Sequence, residues 1–124
     1  MISRIEYLTK RKDETIDYGS TVVIVRAVDV MDMDGAADMQ IFLKTIIAGG
    51  VRKIAIDMKD LAFIDSSGIS VLIEAAKLLR KSKGDIVLLN VPPAIRMIFQ
   101  PIRLSRFISS FESESDMRAF FLGT

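Results

Sequence analysis

Asp65, Ser66, Ser67 and Gly68 set a carboxylate and two hydroxyls side by side, between an apolar run ending at Ile64 and another starting at Ile69. Three kinds of chemistry use such a group. An Asp or Ser at a helix mouth accepts hydrogen bonds from backbone N–H groups that have no partner inside the helix. A serine beside a general base is a nucleophile. A hydroxyl at a helix N-terminus is a favourable seat for a phosphate, because the free N–H groups and the helix dipole stabilise the added charge. The second kind loses its partners here, since the chain contains no His and no Cys. That removes the Ser-His-Asp triad, the Cys nucleophile and the usual zinc sites. A glycine-framed nucleophile elbow is absent too, because Gly68-Ile69-Ser70 has one glycine and no second. The cap and the phosphate seat are compatible: one serine can help cap a helix and still accept a phosphate. Local chemistry does not choose between Ser66 and Ser67.

Other candidates fall away on spacing. Asp17, Asp57, Asp60 and Asp65 are available carboxylates, but nothing pairs two of them for acid–base work, and they read as solvated or capping groups. Val30 to Gly35, VMDMDG, matches part of a calcium loop. Setting Gly35 at position six puts Val30 at position one and Ile41 at position twelve, where acids are required. The stretch reads instead as an acidic strand-to-helix turn with Asp34 as the N-cap. Gly49-Gly50-Val51-Arg52-Lys53 lacks the spacing of a P-loop and follows a helix where a P-loop precedes one. No metal and no cofactor is implied. The formal net charge is +1, without the basic excess of a nucleic-acid binder. Lys10-Arg11-Lys12 and Arg80-Lys81-Lys83 read as solvated surface.

The elements that hold these residues follow from periodicity. The 124 residues are 50% hydrophobic and 27% charged, which fits one globular domain. No run reaches the roughly 18 apolar residues of a membrane span, and the N-terminus shows no export signal. With no cysteine, this fits a reducing cytoplasm. Residues 2–10 read as an edge strand, 10–17 as a connection, and 21–30 as a β-branched central strand. Asp34-Gly35 then opens a helix with Met39, Phe42, Leu43, Ile46 and Ile47 on one face, stopped at Gly49-Gly50. In Val51 to Met58, Ile54, Ile56 and Met58 face one way, and Ala55 and Asp57 the other. The next stretch, MKDLAF, reads as a short turn. The helix after Asp65-Ser66-Ser67-Gly68 puts Leu72, Ala75, Ala76 and Leu79 on one face and ends at Gly84. Ile86 to Leu89 reads as a strand buried on both faces. Pro93 starts a short helix with Ile95, Ile98 and Phe99, which Pro101 limits. Phe107 to Phe111 reads as a last strand, and Ser113 caps a final helix with Met117, Phe120 and Phe121. The order β–β–α–β–α–β–α–β–α predicts a mostly parallel sheet with crossover helices.

At this point the stretch VRKIAIDMKDLAFIDSSGISVLIEAAKLLRKSKGDIVLLNVPPAIRMIFQ resembles the STAS domain, and more closely the free-standing anti-sigma-factor antagonists of bacteria. The strand ending in Asp, the D-L-x-F-I/M-D-S-S-G core, the apolar helix, the strand and the Pro-led helix stand in family order and spacing. The resemblance covers about residues 20–121 of a single domain spanning 1–124. It implies an α/β fold with a mixed, mostly parallel sheet of about five strands and about four helices. It also implies a switch and no enzyme. Such antagonists bind an anti-sigma factor that is itself a serine kinase of the histidine-kinase-like ATPase fold, which frees the sigma factor. The kinase phosphorylates the serine after the motif Asp, and a PP2C-type phosphatase reverses it. Carried over, the motif Asp is Asp65, the phosphoacceptor is Ser66, and Ser67-Gly68 complete the turn. Asp65, Ser67, Gly68 and Ile69, with Asp32 and Asp34 from the preceding strand-to-helix loop, then form the partner-binding surface. ATP belongs to the kinase, so no cofactor is implied for this chain, nor nucleic acid, nor membrane insertion. A homodimer is left open.

Two departures from the family pattern stand out. The L-x-G-x-L/I-D turn after the first long strand is VRAVDVMDMDG here, and the small glycine-containing turn after the Pro-led helix is Gln100-Pro101-Ile102-Arg103. Local rearrangement and a changed surface are expected at the second. Three other functions compete: a STAS subunit without a phosphoswitch, in a stress-signalling or lipid-transport assembly; a nucleotide-binding module, for which no phosphate-cradling loop is present; and, weakest, an enzyme.

Overall fold

β-Branched Val22 to Met31 forms a long strand (β2), and everything that positions the DSSG stretch is built outward from it. The computed structural model describes the backbone of residues 2–8 and residues 21–122. Strand β1 (Ile2–Leu8) precedes β2 and pairs with it antiparallel. Then come α1 (Met33–Ala48), β3 (Lys53–Ile64), α2 (Ser66–Lys81), β4 (Asp85–Leu89), α3 (Pro93–Phe99), a 3-10 turn (Leu104–Arg106), β5 (Ser110–Phe111) and α4 (Glu114–Leu122). The sheet order is β1-β2-β3-β4-β5, with β2 to β5 mutually parallel. The mixed, mostly parallel α/β architecture follows the order of elements read from the sequence. The basic run at Lys10–Lys12, the connection over 10–17 and Asp17 lie outside the described residues.

The strand alternation sorts the sheet into two apolar layers. Val23, Val25, Ile54, Ile56, Met58, Ile86 and Leu88 face α1, α2 and α3. Val22, Ile24, Ala55, Val87 and Leu89 face α4 through Met117. The helical faces read from the sequence point into the first layer: Met39, Leu43 and Ile47 of α1, and Leu72, Ala75, Ala76 and Leu79 of α2, are all buried.

Four local readings need correction. MKDLAF is not a turn, because β3 runs on to Ile64. Its pairing with β2 shifts twice, between Arg26 and Val28 and between Asp29 and Val30, so β3 carries extra residues that β2 does not match. Such bulges restart the alternation. Met58, Leu61 and Ile64 therefore share one buried layer at a spacing of three, which breaks the period-two signal. Secondly, α1 is capped by Asp32, whose carboxylate accepts from the Gly35 N–H at 3.1 Å, and Asp34 lies inside the first turn. Thirdly, Phe107 to Ser109 is not strand; β5 is only Ser110–Phe111. Fourthly, Arg80 is not plain solvated surface. Its Nε donates to Asp85 at 3.1 Å, its Nη2 donates to the Phe107 carbonyl, and its guanidinium sits 4.7 Å from the Phe107 ring centroid. Arg80 thus ties the end of α2 to the approach of β5, while Phe107 itself closes the 3-10 turn, its N–H donating to the Leu104 carbonyl at 2.8 Å.

Candidate functional site

Two strand-to-helix junctions lie side by side at the C-terminal edge of the sheet, where the interior strands β2 and β3 end. Met31 and Ile64 are paired as the last residues of β2 and β3. Each is followed by an aspartate in extended conformation and then by a 16-residue helix. At the second junction the Asp65 carboxylate accepts from the N–H groups of Ser67 (2.9 Å) and Gly68 (3.3 Å). The Asp65 N–H itself donates to the Met31 carbonyl at 3.2 Å, which ties one junction to the other. The expected cap is therefore present and is made by Asp65, and α2 starts at Ser66, inside the stretch that the sequence pattern places ahead of the helix.

Gly68 is buried at this crossing. A Cβ there would lie 2.7 Å from Ile64 Cγ1, 2.8 Å from Met31 Cγ and 2.9 Å from the Met31 carbonyl oxygen. The first turn of α2 thus packs against the end of β2 as closely as a hydrogen side chain allows. This fixes where the helix mouth points. Ser66 is exposed, Ser67 half-buried, and Ile69 half-buried against the main core. Asp32 is half-buried and Asp34 exposed on the neighbouring junction. The structure brings all the residues read from the sequence, Asp32, Asp34 and Asp65 to Ile69, to this C-terminal edge of the sheet.

Three residues at this edge were not singled out by the sequence. Val30 (43% exposed) and Phe63 (46%) are register partners on β2 and β3, and Met33 (73%) opens α1. Large apolar groups exposed together beside a polar site mark a contact surface. The signal was present in the sequence as apolar residues flanking the two capping aspartates, but their exposure depends on the bulges of β3. Asp29 near the end of β2 and Asp34 in the first turn of α1 are exposed, so with Asp32 and Asp65 the junctions carry acidic groups beside apolar anchors.

Asp57 corrects the reading of solvated or capping aspartates. It is 3% exposed, on the α4 side of the sheet. Its carboxylate accepts from Arg26 Nε (3.3 Å), Asn90 Nδ2 (3.4 Å) and the Lys59 N–H (3.0 Å), and Arg26 Nη2 completes the ion pair at 3.3 Å. A buried carboxylate persists only with such partners. The network satisfies itself and lies away from Ser66. Among the described residues there is no cluster of His, Cys, Asp and Glu that could hold a metal ion, and no helix long and apolar enough to cross a membrane.

The cap carries a prediction. Asp65→Ala should lower the unfolding free energy by about 1 kcal/mol, read as a lower urea midpoint at unchanged slope. Asp65→Asn retains the accepting oxygen and should cost only a few tenths of that. Equal losses for the two variants would assign the effect to charge and not to capping.

Comparison with known proteins agrees with this geometry. The BtrV protein of Bordetella bronchiseptica, which carries the name anti-sigma factor antagonist, is 29% identical over 97 residues, 78% of this chain and 81% of BtrV. Among solved structures, the anti-sigma factor antagonist SpoIIAA in its unphosphorylated form superposes with a TM-score of 0.75 at 20% identity, covering 98% of both chains. SpoIIAA of Bacillus in its phosphorylated form gives 0.63 at 23% identity, covering 92% of this chain and 96% of that one. A Thermotoga maritima protein, TM1081, gives 0.79 at 18% identity, covering 95% and 94%. These likenesses establish the fold. The family model described as STAS domain matches residues 2–117, nearly the whole chain, and with the junction geometry above it follows that this chain belongs to the STAS domain family.

Proposed function

We propose that this chain is an anti-sigma factor antagonist whose binding is switched by phosphate on Ser66. Its partner is an anti-sigma factor that is also a serine kinase of the histidine-kinase-like ATPase fold, and a PP2C-type phosphatase resets it. The observation that carries the reading is the placing of Ser66. It is exposed at the first position of a 16-residue helix, while the Asp65 carboxylate holds the next two N–H groups. The serine hydroxyl is presented without being needed for the cap. The kinase brings ATP and the catalytic groups: the Ser66 oxygen bonds to the γ-phosphorus, the bond to the β,γ-bridging oxygen breaks so that ADP leaves, and the hydroxyl proton passes to the kinase's base. This chain supplies the acceptor and the docking surface alone, so it is no enzyme.

The acidic, apolar-anchored edge suits a partner with a basic face. Val30, Met33 and Phe63 would give up water on docking, and Asp32, Asp34 and Asp65 would orient it. Phosphate on Ser66 adds about two negative charges beside these aspartates. A contact that must exclude water then has like charges to desolvate, and it opens. The names of BtrV and SpoIIAA lend the partner class, and the two solved forms of SpoIIAA lend the switch.

Phosphopeptide mapping of the protein from its own cells, under growth and under stress, tests this. Occupancy at Ser66 that changes with condition supports the switch. An unmodified DSSG peptide in every condition sinks it, and leaves a STAS subunit in which Asp65 to Gly68 serve as a cap.

A further inference from the structure

Val91 to Phe111 contains three arginines, Arg96, Arg103 and Arg106, and no acidic residue. It spans α3, the 3-10 turn and β5, and includes the Gln100-Pro101-Ile102-Arg103 turn that departs from the family pattern. Arg103 there has φ 54°, in the left-handed region, where glycine is the usual choice. Behind this turn lies a cavity of about 190 Å³. Its apolar walls are Leu88, Val91, Phe99, Leu104 and Ile108, each no more than 9% exposed, and Arg96, Gln100, Ser105 and Ser110 form its polar side.

Two features are unusual together. The cavity opens to solvent, and its apolar wall gives the water there little to bond with. Arg96 is half-buried on that wall. The ion pairs among the described residues are Arg26–Asp57, Lys44–Glu74 and Arg80–Asp85, and none involves Arg96. A half-buried guanidinium without a counter-charge, at the rim of an open pocket with one apolar wall, has the makings of a headgroup clamp.

We propose that the cavity between α3 and the 3-10 turn binds a small apolar monocarboxylate, with its ring or chain on Leu88, Phe99, Leu104 and Ile108 and its carboxylate on Arg96. The volume sets the size. It lies below the roughly 300 Å³ where drug-sized sites begin, which points to about ten heavy atoms or fewer. The walls set the class. A free phosphate would leave the apolar surface uncovered, and an uncharged apolar molecule would leave Arg96 unpaired. Arg103 and Arg106, with no acid in the segment, add a positive field that favours the anion.

The test is a titration of the intact chain with benzoate followed by amide 1H–15N NMR, beside benzamide and inorganic phosphate. Benzoate should give saturating shifts confined to α3, the 3-10 turn and the ends of β4 and β5. Benzamide should bind at least ~10-fold more weakly, as expected for the loss of one charge-assisted pair. Arg96→Met should lose benzoate by a similar factor, whereas Arg103→Met should retain most of it. No saturation at millimolar benzoate overturns the site. Equal binding of benzamide overturns the carboxylate, and phosphate binding as well as benzoate overturns the apolar class. The benzoate–benzamide comparison uses the unaltered chain, so it decides even if Arg96→Met folds poorly.

Discussion

Phosphate on Ser66 is expected to weaken binding to the anti-sigma partner by at least ~100-fold, with no loss of fold. The binding half rests on the acidic edge. A like charge forced into a water-excluding contact costs several kcal/mol, and each 1.4 kcal/mol is a factor of ten. The folding half has the opposite sign. Ser66 is the first residue of α2, and a negative charge in a first helical turn stabilises by about 0.3–1 kcal/mol. Loss of binding therefore cannot be read as unfolding. Ser66→Ala should bind at full strength, because Asp65 makes the cap. Ser66→Asp carries about half the charge of a phosphate and should fall between the two. Calorimetry with the anti-sigma factor captured on the Ser66→Ala chain, paired with thermal melts of the three forms, reads both halves. A phosphorylated chain that binds as tightly as the unmodified one would end the switch. A melt lowered in step with affinity would reduce the effect to damage at the helix mouth.

The largest effect on stability is expected at Gly84, where Gly84→Ala should cost about 3 kcal/mol or more. Gly84 closes α2, its N–H donating to the Leu79 carbonyl at 2.9 Å. It also starts the pairing of β4 with β3, where the Asp85 N–H donates to the Arg52 carbonyl at 2.9 Å and Lys53 pairs with Asp85. An added Cβ would overlap that same Arg52 oxygen and lie 3.0 Å from its carbonyl carbon. The obstacle is backbone, so no side chain can swing aside. Either the strand pairing opens or the helix end shifts. Alanine's gain through a stiffer unfolded chain is about 0.4–1 kcal/mol, too little to offset this. For a chain of this size the midpoint should fall by roughly 10 °C. Gly49→Ala is the control: its Cβ would meet the nearest atom, the Ile46 carbonyl oxygen, at 3.4 Å, on ordinary helical backbone. That variant should stay within about 1 kcal/mol of the parent. Equal midpoints for the two variants would refute the close approach at Arg52.

Both predictions turn on the difference between what neighbours along the chain decide and what crossings decide. Capping is local: a carboxylate reaches N–H groups two and three residues on, so a cap within Asp65-Ser66-Ser67 was legible from four letters, and the structure assigns it to Asp65. The buried faces of α1 and α2, the first half of β3 and the double burial of β4 were legible for the same reason, since each follows a period carried in its own residues. At Asp32 and Asp34 the local signal was ambiguous, because two aspartates two apart can each cap a helix. Only the path of β2, which stays extended through Met31, selects Asp32.

The rest required the sheet. Asp57 reads as one more solvated aspartate until Arg26, 31 positions away on β2, and Asn90, 33 away just past the end of β4, arrive beside it. Residues 59–64 carry no clean alternation, because their bulges exist only relative to β2. The same bulges leave Val30 and Phe63 facing out beside Ser66. Arg80 gains its role from Phe107, which a loop and a helix carry back to it. The sequence by itself determined that a capped helix follows Ile64 and which strands and helices surround it, since those depend on hydrogen bonds and periods spanning a few residues; that the helix already starts at Ser66 came from the structure. The tertiary structure alone decided which way that helix mouth points, which apolar groups rim it, and which charges are buried, because strand order and register bring together residues that no local spacing relates.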